Sequence, residues 1–289
     1  MKRSFITKYL KKSDGTQIFF RFWKGKKNSP ALILLHGLGA HSLRFEEMAE
    51  FFRKRSFNVY AFDFSGFGKS QAYKGHIDKF ETYLNETLAM LKLAETELPD
   101  VPKFIVGESM GGVVGIHFAK YYQDYFDGLI LLSPAILCNI KIPLQKKIEA
   151  GFNTLFNKFH TYDVPFTNEM LTRDYKWQKK LQSDELDIKV VTGRFYFVLN
   201  SAMKECFKIA KKLELPILVL QGEDDSIGNT NGVVNFFNKI GSQEKQLQVL
   251  KGFYHALSID KNREIVYNII FQWINQRIYL IEEFEKTEE

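Results

Sequence analysis

This sequence of 289 residues has only two cysteines and no long hydrophobic run. Its two cysteines, Cys138 and Cys206, lie far apart without CxxC spacing, which argues against a disulfide scaffold and predicts free thiols. No run of about 18 apolar residues occurs, and the basic segment 1–12 lacks the apolar stretch of a secretory signal. We therefore expect a soluble protein of the cytoplasm.

Charge of one sign is not concentrated in any block, although 40 Lys and Arg against 34 Asp and Glu give a net charge of +6. The lysines alternate with acids, and no nucleic-acid recognition motif accompanies them. A metal site is equally unsupported, since neither HExxH nor a Cys/His cluster occurs. We expect no nucleic-acid partner, no metal and no cofactor, and only a weak attraction to anionic surfaces.

Apolar residues are plentiful, at 45% of the chain, and they are grouped in short runs. Such runs are typical of strands buried on both faces of a parallel sheet. The runs are 31–35, 59–62, 104–106, 129–132, 217–220 and 247–250. Segments of helical periodicity, such as 80–91, lie between them. This alternation predicts an α/β fold, with a mostly parallel central sheet, helices on both faces and ligands at the carboxyl ends of the strands.

The alternation stops after Pro134 and resumes at Pro216. The intervening sequence is rich in Lys, Phe, Tyr and Asn and has helical patches, so it predicts an inserted helical cap over residues 138–206. Residues 1–137 and 207–289 then form the two parts of one core, which the chain length allows. Ahead of the core strands, Asp14-Gly15 predicts a hairpin turn.

The strongest local motif is Gly107-Glu108-Ser109-Met110-Gly111, a GxSxG between a predicted strand and a predicted helix. A serine on such a sharp turn is pushed into the open, and the flanking glycines prevent clashes. The hydroxyl is a weak nucleophile that needs a base to take its proton and a third group to orient that base. Ser109 is thus the candidate nucleophile.

A histidine and an acid follow at the same edge of the sheet. His255 lies between the last predicted strand and the last predicted helix, which makes it the candidate base. Three acids, Glu223, Asp224 and Asp225, follow the strand 217–220, and any of them could orient the imidazole. The order Ser, Asp, His along the chain is that of α/β-hydrolases.

Acyl transfer also needs hydrogen-bond donors for the developing oxyanion. One donor is the backbone N–H of Met110, directly after the nucleophile, and the second is the N–H of Leu38 in the loop His36-Gly37-Leu38-Gly39. The glycine-rich stretch 63–70 lacks the spacing of a phosphate-binding loop, so we interpret it as a turn packed beside the nucleophile.

Together, the motifs HGLG, DFSGFGKS, GESMGG, QGEDD and GFYHAL resemble the monoacylglycerol lipase and lysophospholipase branch of the α/β-hydrolases over nearly the whole chain outside the cap. The resemblance implies that the acid, three positions after the glycine of Gln-Gly, is Asp225, with Asp224 as the fallback. It implies His255 as base and the N–H groups of Leu38 and Met110 as oxyanion donors. Residues 140–205 do not align with the lid of that family position by position, so no substrate-contacting residue is carried over to them.

The leading hypothesis is a serine hydrolase that cleaves esters of medium or long acyl chains, such as monoacylglycerols or lysophospholipids, through an acyl-enzyme. A carboxylesterase or thioesterase for small soluble acyl groups is the alternative among enzymes, and a non-catalytic receptor of the same fold is the alternative outside them. The oligomeric state is unknown from the sequence.

Two features of the cap bear on the substrate. Its aromatic residues either line an acyl-chain tunnel or pack the cap onto the core. They are Phe152, Phe156, Phe159, Phe166, Tyr175, Trp177, Phe195, Tyr196 and Phe197. Lysines 141, 146, 147 and 158 lie among apolar residues, which suggests either weak peripheral contact of the cap with an anionic membrane or an ordinary solvated helix face.

Overall fold

The computed structural model of the chain describes residues 4–12 and 15–288, with side chains described as far as residue 281. A central sheet of eight strands runs through it in the order β1-β2-β4-β3-β5-β6-β9-β10. The strands are β1 (Ile6–Lys11), β2 (Gln17–Trp23), β3 (Ala31–Leu35), β4 (Asn58–Phe62), β5 (Lys103–Glu108), β6 (Gly128–Leu132), β9 (Ile217–Gly222) and β10 (Lys245–Leu250). Two further strands, β7 (Thr161–Asp163) and β8 (Val190–Thr192), pair with each other outside this sheet.

Most neighbours in the central sheet are parallel, and β2 runs antiparallel to both β1 and β4. The predicted hairpin is therefore present as β1 and β2, although Asp14 of its predicted turn lies outside the described residues. Each predicted apolar run falls on a strand, and β3, β4, β5, β6 and β9 are buried along their whole length. Burial on both faces is why these strands appear in the sequence as uninterrupted apolar runs.

Alternate residues of the strands feed two separate cores, one on each face of the sheet. Leu32 and Leu34 of β3 belong to one core, and Ile33 and Leu35 belong to the other. The described helices are α1 (Glu46–Lys54), α2 (Glu81–Glu97), α3 (Met110–Tyr122), α4 (Leu144–Phe156), α5 (Asn168–Leu171), α6 (Tyr175–Gln182), α7 (Gly193–Ile209), α8 (Thr230–Lys239) and α9 (Glu264–Glu288). Helices α1 and α9 pack on the first face, and α2, α3 and α8 pack on the second.

The segment between β6 and β9 differs in detail from the predicted cap. It contains helices α4 to α7, as expected, but also the two-stranded sheet of β7 and β8, which the helical prediction missed. These strands contain the β-branched residues Thr161, Val190, Val191 and Thr192, which favour extended backbone. Helix α7 runs on to Ile209, three positions past the predicted boundary at 206, so one helix joins the segment to the core.

The last helix, α9, begins at Glu264. Turns occupy the residues before it, and the carboxylate of Asp260 accepts a hydrogen bond from the Tyr254 N–H at 2.8 Å. This bond folds the loop after β10 back on itself. In the part of the chain that the structure describes, no helix combines the length and apolarity needed to cross a bilayer.

Candidate active site

Ser109 lies at the sharp turn between the end of β5 and the start of α3. Its backbone has φ +56° and ψ −114°, a conformation that non-glycine residues rarely adopt. A Cβ on Gly111 would meet the Leu35 carbonyl oxygen at 2.0 Å, and one on Gly107 would meet the Gly111 oxygen at 2.4 Å. Both motif glycines are thus required by close backbone packing, and the turn leaves the Ser109 side chain half-buried.

The predicted base meets the predicted nucleophile. His255 is buried in the loop between β10 and α9, with its Nε2 2.8 Å from the Ser109 Oγ. Its Nδ1 lies 2.8 Å from Asp225 Oδ2. An ionised carboxylate can only accept, so Nδ1–H donates to Asp225 and leaves Nε2 free to accept the Ser109 O–H. The three side chains therefore form one continuous hydrogen-bonded relay.

Asp225 is also the acid of the Glu223-Asp224-Asp225 run that the fold buries, whereas the Asp224 side chain is exposed. Its Oδ1 accepts the backbone N–H groups of Ile227 at 2.9 Å and Gly228 at 2.8 Å. Burial acts to raise the pKa of Asp225, but the charge of His255 and the hydrogen bonds outweigh it and hold that pKa below its ordinary value. The carboxylate facing His255 is therefore ionised at neutral pH.

The loop predicted to supply an oxyanion donor lies directly against the nucleophile. A Cβ on Gly37 would lie 3.2 Å from Ser109 Cβ and 3.7 Å from its Oγ. Among the described residues, no protein acceptor takes a hydrogen bond from the backbone N–H of Leu38 or of Met110. Both predicted donors thus have the free N–H that the role requires.

His36 fixes this loop from behind. Its Nε2 accepts the Phe64 N–H at 3.0 Å, and its Nδ1 lies 2.8 Å from the Gly37 carbonyl oxygen. Complete burial lowers the pKa of His36 from 6.5 to about 4, against a smaller opposing effect of Asp63. The neutral ring with its proton on Nδ1 satisfies both contacts, which makes His36 a structural residue.

The glycine-rich stretch 63–70, which follows β4, forms a turn in which Asp63 accepts a backbone hydrogen bond. Asp63 accepts the backbone N–H groups of Ser42 and Lys69, both at 2.7 Å. Gly68 has φ +48°, and a Cβ there would overlap the Asp63 carboxylate at 2.1 Å. The Lys69 N–H of this turn therefore donates to Asp63, while the Phe64 and Ser65 N–H groups donate to His36 and Glu86, in keeping with a packed turn beside the nucleophile.

Two buried carboxylates hold the His255 loop, and the sequence analysis did not identify either. Glu108 accepts the N–H of Ser258 at 2.8 Å and its hydroxyl at 2.7 Å. Asp260 accepts the Tyr254 N–H and, from the cap segment, the Arg173 N–H at 2.7 Å. The only sign of them in the sequence is that Glu108 and Asp260 are ionisable residues among apolar neighbours. Their partners lie too far away along the chain to be paired with them from one sequence.

Side-chain contacts join the segment between β6 and β9 to the residues that follow the predicted oxyanion loop. His41 Nε2 lies 3.0 Å from Asp184 Oδ2, and Arg44 reaches both carboxylate oxygens of Asp187 at 2.7 Å. In the described part of the chain, the one His/Asp group compact enough to consider for a metal ion is His41, Asp184 and Asp187. Arg44 already neutralises Asp187, so the group fits a buried ion-pair network better than a metal site.

Six of the nine aromatic residues singled out between β6 and β9 are either clearly exposed or clearly buried. Phe152, Phe156, Phe159 and Tyr175 are exposed. Trp177 is buried and packs with Leu171, Leu181, Ala256 and Ile259, and Phe195 is buried against Phe67. Of the two alternatives, packing on the core therefore applies to Trp177 and Phe195, and the other four of these six residues face solvent.

Comparison with known proteins places these features in context. The Hydrolase_4 family model, described as serine aminopeptidase, S33, matches residues 26–262. The monoglyceride lipase of Rattus norvegicus is 29% identical over 283 residues, which covers 93% of this chain and 90% of that protein. Phospholipase YtpA of Bacillus subtilis is 27% identical over 259 residues, which covers 89% of this chain and 99% of that protein.

Solved structures agree with the fold. The crystal structure of Paleococcus ferrophilus monoacylglycerol lipase superposes with a TM-score of 0.81 at 24% sequence identity, over 90% of this chain and 99% of that one. Together with the family match, this similarity confirms the predicted α/β-hydrolase fold and the resemblance to monoacylglycerol lipases.

Proposed function

Since this chain belongs to the Hydrolase_4 family, serine aminopeptidase, S33, and is a serine ester hydrolase, we propose that it cleaves esters of medium or long acyl chains, such as monoacylglycerols or lysophospholipids. Its curated relatives support this substrate class by their names, monoglyceride lipase and phospholipase. The alternative activities are peptide hydrolysis, which the family description names, and hydrolysis of esters of small acyl groups. Substrate profiling distinguishes them from the proposed activity.

The observation that carries the proposal is the relay of two hydrogen bonds, each 2.8 Å long, from Ser109 through His255 to Asp225. In the proposed mechanism, Ser109 Oγ attacks the ester carbonyl while His255 Nε2 takes its proton, and Asp225 stabilises the imidazolium. His255 then protonates the leaving alcohol, which departs as the acyl-enzyme forms. Water, deprotonated by His255, attacks the acyl carbon and releases the carboxylic acid and the free serine.

The negative charge that develops on the carbonyl oxygen needs donors that are already aimed at it. We assign this role to the backbone N–H groups of Leu38 and Met110. Two facts support the assignment: neither N–H has an acceptor among the described residues, and the glycine next to Leu38 approaches Ser109 closely. Met110 is also the first residue of α3, whose N-terminus favours negative charge.

Labelling with a fluorophosphonate probe tests the nucleophile. We expect the wild type to be labelled and Ser109→Ala to remain unlabelled while folding normally. Absence of labelling in well-folded wild type would contradict the enzyme proposal and favour a receptor.

The substrate class is tested by hydrolysis of p-nitrophenyl esters from C2 to C16, compared with hydrolysis of an amino-acid p-nitroanilide. A maximum at C2 or on the anilide would refute the proposed class.

The outer face of α4 supports a second part of the proposal, contact with a lipid surface. Leu144, Ile148, Phe152, Leu155 and Phe156 recur at helical spacing on this face and are between 61% and 79% exposed. An apolar helix face left in water is unusual in a monomer and marks an interaction site. Lysines 141, 146, 147 and 158 are exposed around it, which fits an anionic bilayer. The substrates proposed above reside in such a surface.

Sedimentation with phosphatidylglycerol-containing vesicles tests this contact. The double variant Phe152→Ser/Phe156→Ser should lose most binding and keep its activity on a short soluble ester. Tyr125→Ser, which removes an equally exposed aromatic outside the cap, should bind as the wild type does. Equal binding of all three proteins would refute the role of α4. The cytoplasm, which the sequence predicts as the compartment, stays a prediction.

A further inference from the structure

The loops that carry Ser109 and His255 are joined by two separate connections. The first is the Ser109–His255 hydrogen bond of the relay. The second lies one residue before the nucleophile and three residues after the base, where the buried carboxylate of Glu108 receives both the N–H and the hydroxyl of the buried Ser258. Two contacts thus hold the same two segments together: the Ser109–His255 hydrogen bond, whose groups take part in the reaction, and the Glu108–Ser258 contact, whose groups do not.

The two contacts differ in what happens to them during the proposed reaction. Once Ser109 Oγ is bonded to the acyl carbon, it has no proton to donate and the first contact is lost. His255 must nevertheless keep its place, because it has to deprotonate the incoming water before deacylation can occur. The Glu108–Ser258 contact takes no part in bond making, so it persists through the acyl-enzyme.

Burying a carboxylate at this place costs desolvation free energy, which indicates that the contact it makes has a function. Burial raises the pKa of Glu108, and the two hydrogen bonds from Ser258 act in the opposite direction. Hydrogen bonds to a charged acceptor are stronger and geometrically tighter than neutral ones. Asp260 also holds this loop, but its partners lie in the loop itself and in the cap segment, so it does not set the distance to Ser109.

We infer that Glu108 is a positioning residue that holds the His255 loop against the nucleophile turn while the acyl-enzyme waits for water. The inference rests on the proposed function and deepens it, because it assigns Glu108 to one half-reaction. Loss of the Glu108–Ser258 contact should slow deacylation more than acylation. In acylation, the Ser109–His255 hydrogen bond is still present to align the two groups.

Three variants separate positioning from other roles. Ser258→Ala removes one of the two hydrogen bonds with little change in volume, and Glu108→Ala removes both. Glu108→Gln keeps both bonds, since its amide oxygen can accept the Ser258 N–H while its amide nitrogen donates to the Ser258 hydroxyl. The control is Ser242→Ala, which loses a buried hydroxyl that accepts the Glu244 N–H far from the site.

Stopped-flow hydrolysis of a p-nitrophenyl ester gives the acylation rate from the burst, and intact-mass spectrometry gives the lifetime of the acyl-enzyme. We expect Ser258→Ala to slow deacylation about tenfold, a barrier increase of ~1.4 kcal/mol, with acylation changed less than threefold. Glu108→Ala should slow deacylation further, Glu108→Gln should restore it to near the wild-type rate, and Ser242→Ala should change neither step.

Three results would overturn the inference: an equal loss in both steps, a Glu108→Gln variant as impaired as Glu108→Ala, or an unchanged Ser258→Ala. If Glu108→Ala does not fold, Ser258→Ala and Glu108→Gln decide the question alone. A wild type that forms no acyl-enzyme would instead overturn the proposed function, and the positioning role with it, so the two failures are distinguishable.

Discussion

The substitution Asp225→Asn tests the orientation of the base, because it keeps the shape of the side chain and removes its charge. Oδ1 of Asp225 accepts two backbone N–H groups, from Ile227 and Gly228, so the amide oxygen of asparagine must occupy that position. The amide nitrogen then replaces Oδ2, where it faces His255 Nδ1 at 2.8 Å. A donor there forces Nδ1 to accept, and the ring proton moves to Nε2.

With its proton on Nε2, His255 points a donor at Ser109 and can no longer take the hydroxyl proton. Loss of the correct tautomer in a serine triad lowers kcat by about 10⁴, which is ~5.5 kcal/mol of transition-state stabilisation. KM should change little, because Asp225 is buried behind the histidine and lies outside substrate contact. The loss should therefore be confined to the chemical step.

Steady-state kinetics on a p-nitrophenyl ester measures both parameters, with circular dichroism to verify folding. The matched control is Asp224→Asn, the neighbouring acid whose side chain is exposed, and it should behave as the wild type. A folded Asp225→Asn variant with kcat within tenfold of wild type would refute the tautomer argument. Loss of activity in Asp224→Asn alone would show that the wrong acid had been assigned.

Three further predictions concern stability and the loop beside the nucleophile. The pKa of His36 is about 4 in the folded chain and 6.5 in the unfolded chain, so the stability that its neutral form contributes is complete above pH 6.5 and is lost as pH falls toward 4. This group should therefore lower the free energy of unfolding in urea by about 2 kcal/mol between pH 7.5 and pH 5. The variant His36→Gln should abolish that difference. Arg44→Met leaves the largely buried Asp187 with only His41, at 3.7 Å, and should cost about 3 kcal/mol in the free energy of unfolding, most of it recovered when Asp187→Leu is added. Gly37→Ala places a methyl group 3.2 Å from Ser109 Cβ and should lower kcat/KM about 10²-fold without shifting the urea midpoint, and an unchanged kcat/KM would contradict the close approach of this loop.

The sheet could be predicted because its physical cause is visible in the sequence. A strand such as β3 is buried on both faces, so every position must be apolar, and the predicted bounds 31–35 coincide with the observed ones. The exposed strand β1, with the sequence ITKYLK, has no such constraint and no distinctive pattern. Burial thus dictates the composition of β3, whereas β1 could be predicted only through the hairpin turn that pairs it with β2.

The relay could be predicted for a different reason, since the local motifs that carry Ser109 and His255 each follow a strand of the same parallel sheet. The choice of Asp225 over Asp224 needed the family spacing, because only the fold buries one and exposes the other. Glu108 and Ser258 could not be paired in advance. Their contact depends on how two loops 150 positions apart meet, which the composition of neither loop reveals.

The cap shows the limit of hydrophobic patterning. The periodicity of α4 predicted a helix correctly, and the natural assumption is that its apolar face points inward. The structure packs α4 through its small residues instead: a Cβ on Gly193 of α7 would lie 2.6 Å from the Ala150 carbonyl oxygen. Close backbone contact at Ala150 turns Ile148 and Phe152 toward solvent, which a pattern of apolar and polar residues cannot foretell.

The backbone of Ser109, at φ +56°, has a consequence for the folded state as a whole. Holding a side-chain-bearing residue in that region costs on the order of 1–3 kcal/mol, and the surrounding strand and helix must supply it. Glycine adopts such angles freely. The chain therefore gives up thermodynamic stability at the one position where it gains reactivity, and a Ser109→Gly protein should be inert yet harder to denature than its parent.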